Sequence, residues 1–546
     1  MSRPSVASGR QHISHKLVTQ PNKAAMKNTE LKIRLWPGSR SGITVQPDAI
    51  APCTMAQEAG RSRWGCTECK RRRVKCDETF PVCVRCQKRG AVCQSAPRLR
   101  QWQIEAPWIN SRKGSSTTAL RARGGVSDDT ALLQYWLERA SQIMVIDPDD
   151  NPLSFPILEY IERCPSLKHA LQSTSAAHKN YFDPEKLSTC LEERNWAIRL
   201  IIGELTCPGD NIFPVFLSVL LLGLSAAWTD GPTSKCGQEH LRGARALVDM
   251  LLSSSSAQEN RPPYFGFMIG AYLYWEMATA FLVPTNRQIP INTHEIVSAV
   301  LEIGDQYHPI AGYSTEIFYY IGNLGRYCRS VIETGIRDDI LEALLEEQMT
   351  KWEPNCDVPE LKALSDAYRH HGLINLAAIC YRRDVKETAL ETTSPSLSDM
   401  LPFLEDISPL LDDISLVQED ATSLDFDPPQ NLEVGEDNVV GGNLETTIRN
   451  RALIIVRSLT AIPSSHASTN LQAIPLLTAG SELLAEDTHE RESVQRRFKD
   501  LYSHNHLRGN LDALQLLDEV WALRDAGQMV NWLEVMLNKG WNMMLG

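Results

Sequence analysis

The stretch Gly65–Cys93 reads GCTECKRRRVKCDETFPVCVRCQKRGAVC. Its six cysteines, Cys66, Cys69, Cys76, Cys83, Cys86 and Cys93, form two copies of one unit, Cys-x2-Cys-x6-Cys. A two-residue gap puts both sulfurs of a pair on one face of a tight turn, where they can grip a tetrahedral ion. Two such ions need about eight ligand positions. Six thiolates fill them only if two sulfurs are shared, so the spacing predicts a pair of Zn2+ ions joined by two bridging cysteines. Two divalent ions and six thiolates sum to about −2, because zinc binds the deprotonated thiol. Lys70, Arg71, Arg72, Arg73, Lys75, Arg85, Lys88 and Arg89 lie among the ligands. They offset that charge and leave a basic outer surface.

A disulfide knot is the competing reading, and it needs an oxidising compartment. The opening residues, MSRPSVASGRQHISHKL, contain no apolar core of a secretory signal. The remaining cysteines are scattered without a pairing pattern, as expected of reduced, buried thiols.

From Trp64 to Cys93 the chain resembles the fungal zinc binuclear-cluster (Zn2Cys6) transcription factors. The resemblance covers all six cysteines, the basic run before the third, and Pro81 in the loop joining the halves. It implies that Cys66 and Cys83 each touch both metals. It also implies that Arg72 and Arg73, near the end of a helix over Lys70–Lys75, read a CGG-like triplet in the major groove. The family often has lysine there; arginine offers a planar fork suited to guanine O6 and N7. Arg63, Lys70, Arg71, Lys75 and Lys88 are the candidates for phosphate contacts, which position a module without naming a sequence. A solvated basic face, or a nuclear localisation signal made by KRRRVK, is compatible with the same residues.

A finger of this size buries roughly 600–1,000 Å² of protein surface on DNA, so dimerisation would sharpen its choice of site. The following stretch carries Pro97, Pro107, Gly114, Gly124 and Gly125, which break any heptad. Either the protein binds as a monomer or its dimer contact lies in the body beyond.

Charge divides the chain. Residues 1–125 hold 24 Lys and Arg against 7 Asp and Glu, whereas the whole chain carries −12, which leaves the remainder at about −29. A basic head on an acidic body suits a nuclear DNA reader tethered to a part that meets coregulators. Residues 1–60 are polar and aperiodic and are expected to be a disordered basic tail. Residues 61–97 are the DNA-binding domain and 98–128 a linker. Residues 129–546 form a large all-α regulatory domain with an acidic flexible insertion at about 386–442.

Helical periodicity carries the all-α reading. In DPEKLSTCLEERNWAIRLIIGEL, Asp183 is a plausible N-cap and Pro184 opens the helix. Leu187, Cys190, Leu191, Ile198, Ile201, Ile202 and Leu205 recur at helical spacing and predict one apolar face. Ile212–Trp228 carries no charge, but it is short of a span of about 20 residues, so it is expected to be a central buried helix. The aromatics of Tyr264–Met277 belong to the core or line a ligand pocket. Ser394–Pro429 mixes Leu, Phe and Ile with acids and prolines. Its texture is that of an activation segment or of an uninvolved surface loop.

The body also resembles the fungal-specific regulatory domain that accompanies such clusters, in stretches such as AIPLLTAGSELL and LDEVWALRDAGQMVNWLEVM. The resemblance implies a helical regulatory region, sometimes proposed to sense small molecules. No HExxH, P-loop, GxGxxG or nucleophile-elbow pattern stands out, so an enzyme is not expected. His370 and His371 are adjacent and point apart on a helix. The alternatives kept open are a zinc module that binds protein, or a ligand sensor that does not read bases.

Overall fold

The computed structural model describes residues 33–35, 65–79, 81–94, 102–104, 128–181, 187–206, 211–229, 237–254, 261–382 and 441–545. Most of the tail, most of the linker, Arg63, the cap pair Asp183 and Pro184, and the acidic insertion up to residue 440 lie outside the described residues. Tail and linker each contribute one strand. β1 (Ile33–Leu35) pairs antiparallel with β2 (Trp102–Ile104), Arg34 opposite Gln103.

Two short helices, α1 (Thr67–Arg71) and α2 (Val84–Gln87), belong to the cysteine-rich module. The body then runs through α3 (Asp128–Tyr135), α4 (Pro165–Lys179), α5 (Leu187–Glu204), α6 (Ile212–Leu224), α7 (Gln238–Ser254) and α8 (Phe265–Ala280). It continues with α9 (His294–Ile303), α10 (Thr315–Thr334), α11 (Asp339–Lys351) and α12 (Pro359–Leu376). After the acidic insertion come α13 (Gly441–Ala461), α14 (Ala473–Ser481), α15 (Thr488–Asn505), α16 (Gly509–Asp525) and α17 (Trp532–Asn538).

Local signals set several of these boundaries. Proline opens α4 and α12, where its missing N–H would be unpaired anyway. The side chains of Thr293 and Asp338 cap α9 and α11. Gly335, at φ 71°, ends α10 in the left-handed region.

The uncharged α6 is buried from Ile212 to Gly223 and packs against α4 and α7. It is core, as its length implied, and no described helix is long and apolar enough to cross a membrane. Gly223 lets α8 come close: a Cβ there would meet the Trp275 ring at 2.1 Å. Trp136, Phe216, Trp275 and Phe318 are fully buried, each contributing about 1.5–3 kcal/mol or more. The aromatics of α8 are mainly core; Tyr274 also lines an apolar cavity of about 60 Å³.

The expected face of α5 needs correction. Cys190 and Ile201 are buried, but Leu191, Ile202 and Leu205 are exposed. The helix is rotated because Glu193 turns inward, where its carboxylate meets His169 Nδ1 of α4 at 2.6 Å. Cys190, Glu193, Ala197 and Ile201 make the buried stripe.

An ion-pair clasp spans the acidic insertion. Arg382, just before it, binds Glu445 in α13 through Nε at 2.6 Å and Nη2 at 3.0 Å. Arg382 also reaches Glu482 at 2.6 Å, and Arg524 of α16 meets the same carboxylate at 2.8 Å. Glu482 is fully buried; burial raises its pKa, but the two guanidiniums outweigh this and hold it below the usual carboxylate range.

Candidate metal centre and nucleic-acid interface

The repeat in the sequence reappears as a repeat in space. Cys66 precedes α1 with φ −60° and ψ 157°, and Cys83 precedes α2 with φ −67° and ψ 144°. Each sulfur caps its own helix: Cys69 N donates to Cys66 Sγ and Cys86 N to Cys83 Sγ, both at 3.4 Å. A thiolate at a helix N-terminus gains from the aligned peptide dipoles.

The sulfurs of Cys66, Cys69, Cys83 and Cys86 lie within 4.8 Å of one another. Cys66 and Cys83 are 3.8 Å apart; Cys69 is 3.7 Å from Cys83, and Cys86 is 3.7 Å from Cys66. Four sulfurs placed tetrahedrally at about 2.3 Å from zinc stand about 3.8 Å apart. The Cys66–Cys83 spacing matches one edge of such a tetrahedron, and each of these two sulfurs has a second sulfur of the other repeat at the same spacing. Cys76 Sγ accepts from Glu78 N at 3.3 Å, and Cys93 Sγ from Cys83 N at 3.4 Å. Burial first, then the neighbouring sulfurs, pushes the Cys69 and Cys86 thiols far above their ordinary range, and burial raises Cys93 to about 12. Such thiols ionise only beside a strong cation, so the donor set fits zinc. Among the described residues this is the only group of His, Cys, Asp or Glu arranged to hold a metal. His371 is instead buried, its Nδ1 2.9 Å from Thr478 Oγ1.

The module has almost no other interior. Its core is the six cysteines and Val82, with Val74 packed against them. Thr67 N donates to Gln94 O at 3.0 Å and closes its two ends.

The predicted DNA-facing helix over Lys70–Lys75 is shorter than expected. α1 stops at Arg71, and Arg72 is its C-cap. Arg73 takes φ 57°, in the left-handed region. Arg73 N donates to Lys70 O and Val74 N to Cys69 O, both at 3.0 Å, the paired bonds that close a helix with a left-handed residue. The second half ends the same way, with Ala91 N on Cys86 O, but its left-handed residue is Gly90. Lys70, Arg71, Arg73, Lys75 and Lys88 are exposed and Arg72 is half-buried. The basic run is thus a helix end and a turn, held from beneath by the sulfurs. Arg71 is already engaged: its Nε and Nη2 donate to Glu68 at 2.9 and 2.8 Å.

Sequence reasoning missed two features. Asp77 ties the halves together, accepting from Thr79 N at 3.2 Å, Val84 N at 3.0 Å and Arg85 N at 3.4 Å. Burial alone would raise its pKa, but these hydrogen bonds outweigh it and hold the group at about 2. The module also docks on the body. Gln87 Nε2 donates to Ser464 Oγ at 2.7 Å, and Cys93 N to Ser503 Oγ at 2.9 Å. Asp77 stands seven positions before α2, outside the usual capping position, and the seam joins residues about 400 positions apart, so neither carried a local signal.

Residues 131–546 match the family described as "Fungal specific transcription factor domain", and residues 64–103 match the "Fungal Zn(2)-Cys(6) binuclear cluster domain". The chain is 46% identical over 59 residues to the aspercryptin biosynthesis cluster-specific transcription regulator of Emericella nidulans, covering 10% of each protein. It is 59% identical over 56 residues to the lysine biosynthesis regulatory protein of Saccharomyces cerevisiae, covering 9% of this chain and 7% of that one. It is 49% identical over 37 residues to the transcriptional regulatory protein moc3 of Schizosaccharomyces pombe, covering 7% of each. The chain thus spans a tenth or less of the length of these curated relatives. No solved structure matches.

Proposed function

The chain belongs to the fungal specific transcription factor family, and from that premise we propose that it is a nuclear, sequence-specific regulator of RNA polymerase II transcription that reads CGG-like triplets. Its cluster holds two zinc ions. In this reading Cys66, Cys69, Cys76 and Cys83 hold one ion, and Cys66, Cys83, Cys86 and Cys93 the other. The 3.8 Å edge between Cys66 and Cys83 supports their role as bridges. Zinc supplies no reaction here; it supplies the interior that a module of this size otherwise lacks.

Residues 61–97 are then the DNA-binding domain and 129–546 the regulatory domain. Arg72 and Arg73 meet guanine edges. Lys70, Arg71, Lys75, Arg63 and Lys88 hold phosphates, Arg71 as one half of its pair with Glu68. The acidic insertion at about 386–442 offers apolar side chains to coregulators. One observation carries the reading: the exposed basic turn from Lys70 to Lys75 is fixed by sulfurs on either side of it, Cys69 and Cys76.

Selection of bound sites from random duplexes by the full-length protein tests it. The expected outcome is enrichment of a CGG-like triplet. Arg73→Ala should relax base preference by about 1–3 kcal/mol, while Lys75→Ala weakens every sequence alike. Equal losses on all duplexes for both variants would refute the division of roles.

A further inference from the structure

We propose that the helical body itself binds the DNA backbone, through a phosphate site in the cleft where α2 meets α13 and α15. This rests on the DNA-binding reading above and extends it from the finger to the body. The contact of Gln87 with Ser464 sets the neighbouring Lys88 on one wall of an open cleft of about 770 Å³. Arg457, His489, Arg496 and Arg497 line the other side. The first three are exposed. Arg457 is matched by Glu490, at 3.0 and 2.8 Å.

Arg497 is different. It is 5% exposed, and its Nη2 donates to Thr460 O at 3.0 Å and Ile462 O at 2.6 Å. Its Nη1 is buried with no hydrogen-bond partner. No carboxylate of the described residues forms an ion pair with it. Asp500 lines the same cleft and is also buried; burial pushes its carboxyl up to about 6 and the Arg497 guanidinium down to about 10. A buried cation with an idle donor is costly unless an anion reaches it. Lys88, Arg496 and Arg497 outnumber Asp500 in the lining, so this cleft stays positive on a body whose net charge is strongly negative.

A phosphate is the anion whose oxygens suit guanidinium and ammonium donors together. The backbone of the DNA held by the finger is the favoured source, because one wall of the cleft is the finger. Duplex leaving the basic turn then meets a second row of cations, on α15.

The test uses the full-length, zinc-loaded protein and two duplexes of about 20 base pairs, one with the triplet and one scrambled. Arg496→Ala alters an exposed side chain, and an unchanged melting temperature checks that the fold survives. Expected are a several-fold loss of affinity on both duplexes alike and a salt dependence shallower by about one phosphate contact. Unchanged affinity and slope would overturn the proposal, as would a loss confined to the triplet duplex. So would an Arg496→Ala chain that loses stabilisation by inorganic phosphate while binding DNA as before, since the occupant is then a free anion. A parent chain without triplet preference, whose affinity still falls with Arg496→Ala, would sink the base-reading model and leave this site standing. A parent chain that binds neither duplex would end both.

Discussion

Arg73 is where chemistry and backbone disagree. It occupies a left-handed position that its counterpart in the second half gives to Gly90. An L-residue there costs roughly 1–2 kcal/mol relative to glycine's freedom. A side chain retained against that cost points to a task for the guanidinium. Arg73→Gly is therefore expected to hold zinc at least as firmly as the parent protein against a chelator, and to stabilise the finger by about 1 kcal/mol. The same variant should lose triplet preference. A finger weakened by this change would contradict the strain argument. The six cysteines were legible because ligand spacing is a local geometric demand. The strain at Arg73 was legible only in part: aligning the two repeats pairs it with Gly90, but nothing in KRRRVK says that the helix ends two residues earlier.

At the scale of elements, partners distant in sequence decide what periodicity leaves open. The apolar spacing of α5 identified a helix correctly, yet its rotation follows from the contact of Glu193 with His169 across to α4. Leu191, Ile202 and Leu205 face outward as a result. In the finger, Asp77 does for α2 what a capping residue does, from seven positions upstream. Asp77→Ala should cost about 1 kcal/mol of finger stability and speed zinc loss to a chelator, with the six sulfurs unchanged. Because the folded pKa of Asp77 is depressed to about 2, its contribution is present above the unfolded value of about 3.9 and fades as pH falls toward 2.

For the whole molecule, the buried histidines dominate the response to pH. His308, His504 and His506 are held at about 4 and His371 at about 3, in each case chiefly by burial. The unfolded chain takes up protons near 6.5 that the folded body refuses, so stability drops as pH falls from about 6.5 to 4. Burial lowers His178 and His370 as well; Asp500, raised to about 6, and Asp512, also raised, work in the opposite sense but are two groups against six. Thermal unfolding between pH 7.5 and 5 should show the midpoint falling; a flat profile would mean that these rings are wetter than their packing implies. The all-α architecture was legible from periodicity and from the near absence of alternating stretches. The docking of finger on body was not, because Ser464 and Ser503 carry no motif.

The clasp of Arg382 with Glu445 and Glu482 has a consequence for how such a chain can change over time. It ties Arg382 to Glu445 and Glu482, so the chain is anchored on both sides of the acidic span. Closing a flexible loop costs only about 0.6 kcal/mol more for each doubling of its length. Lengthening, shortening or rewriting the span between them would leave the anchors in register. Exchange of the span for a short Gly–Ser bridge should barely move the melting temperature. The sequence between the anchors is then free to drift in a lineage while the scaffold that holds them stays the same.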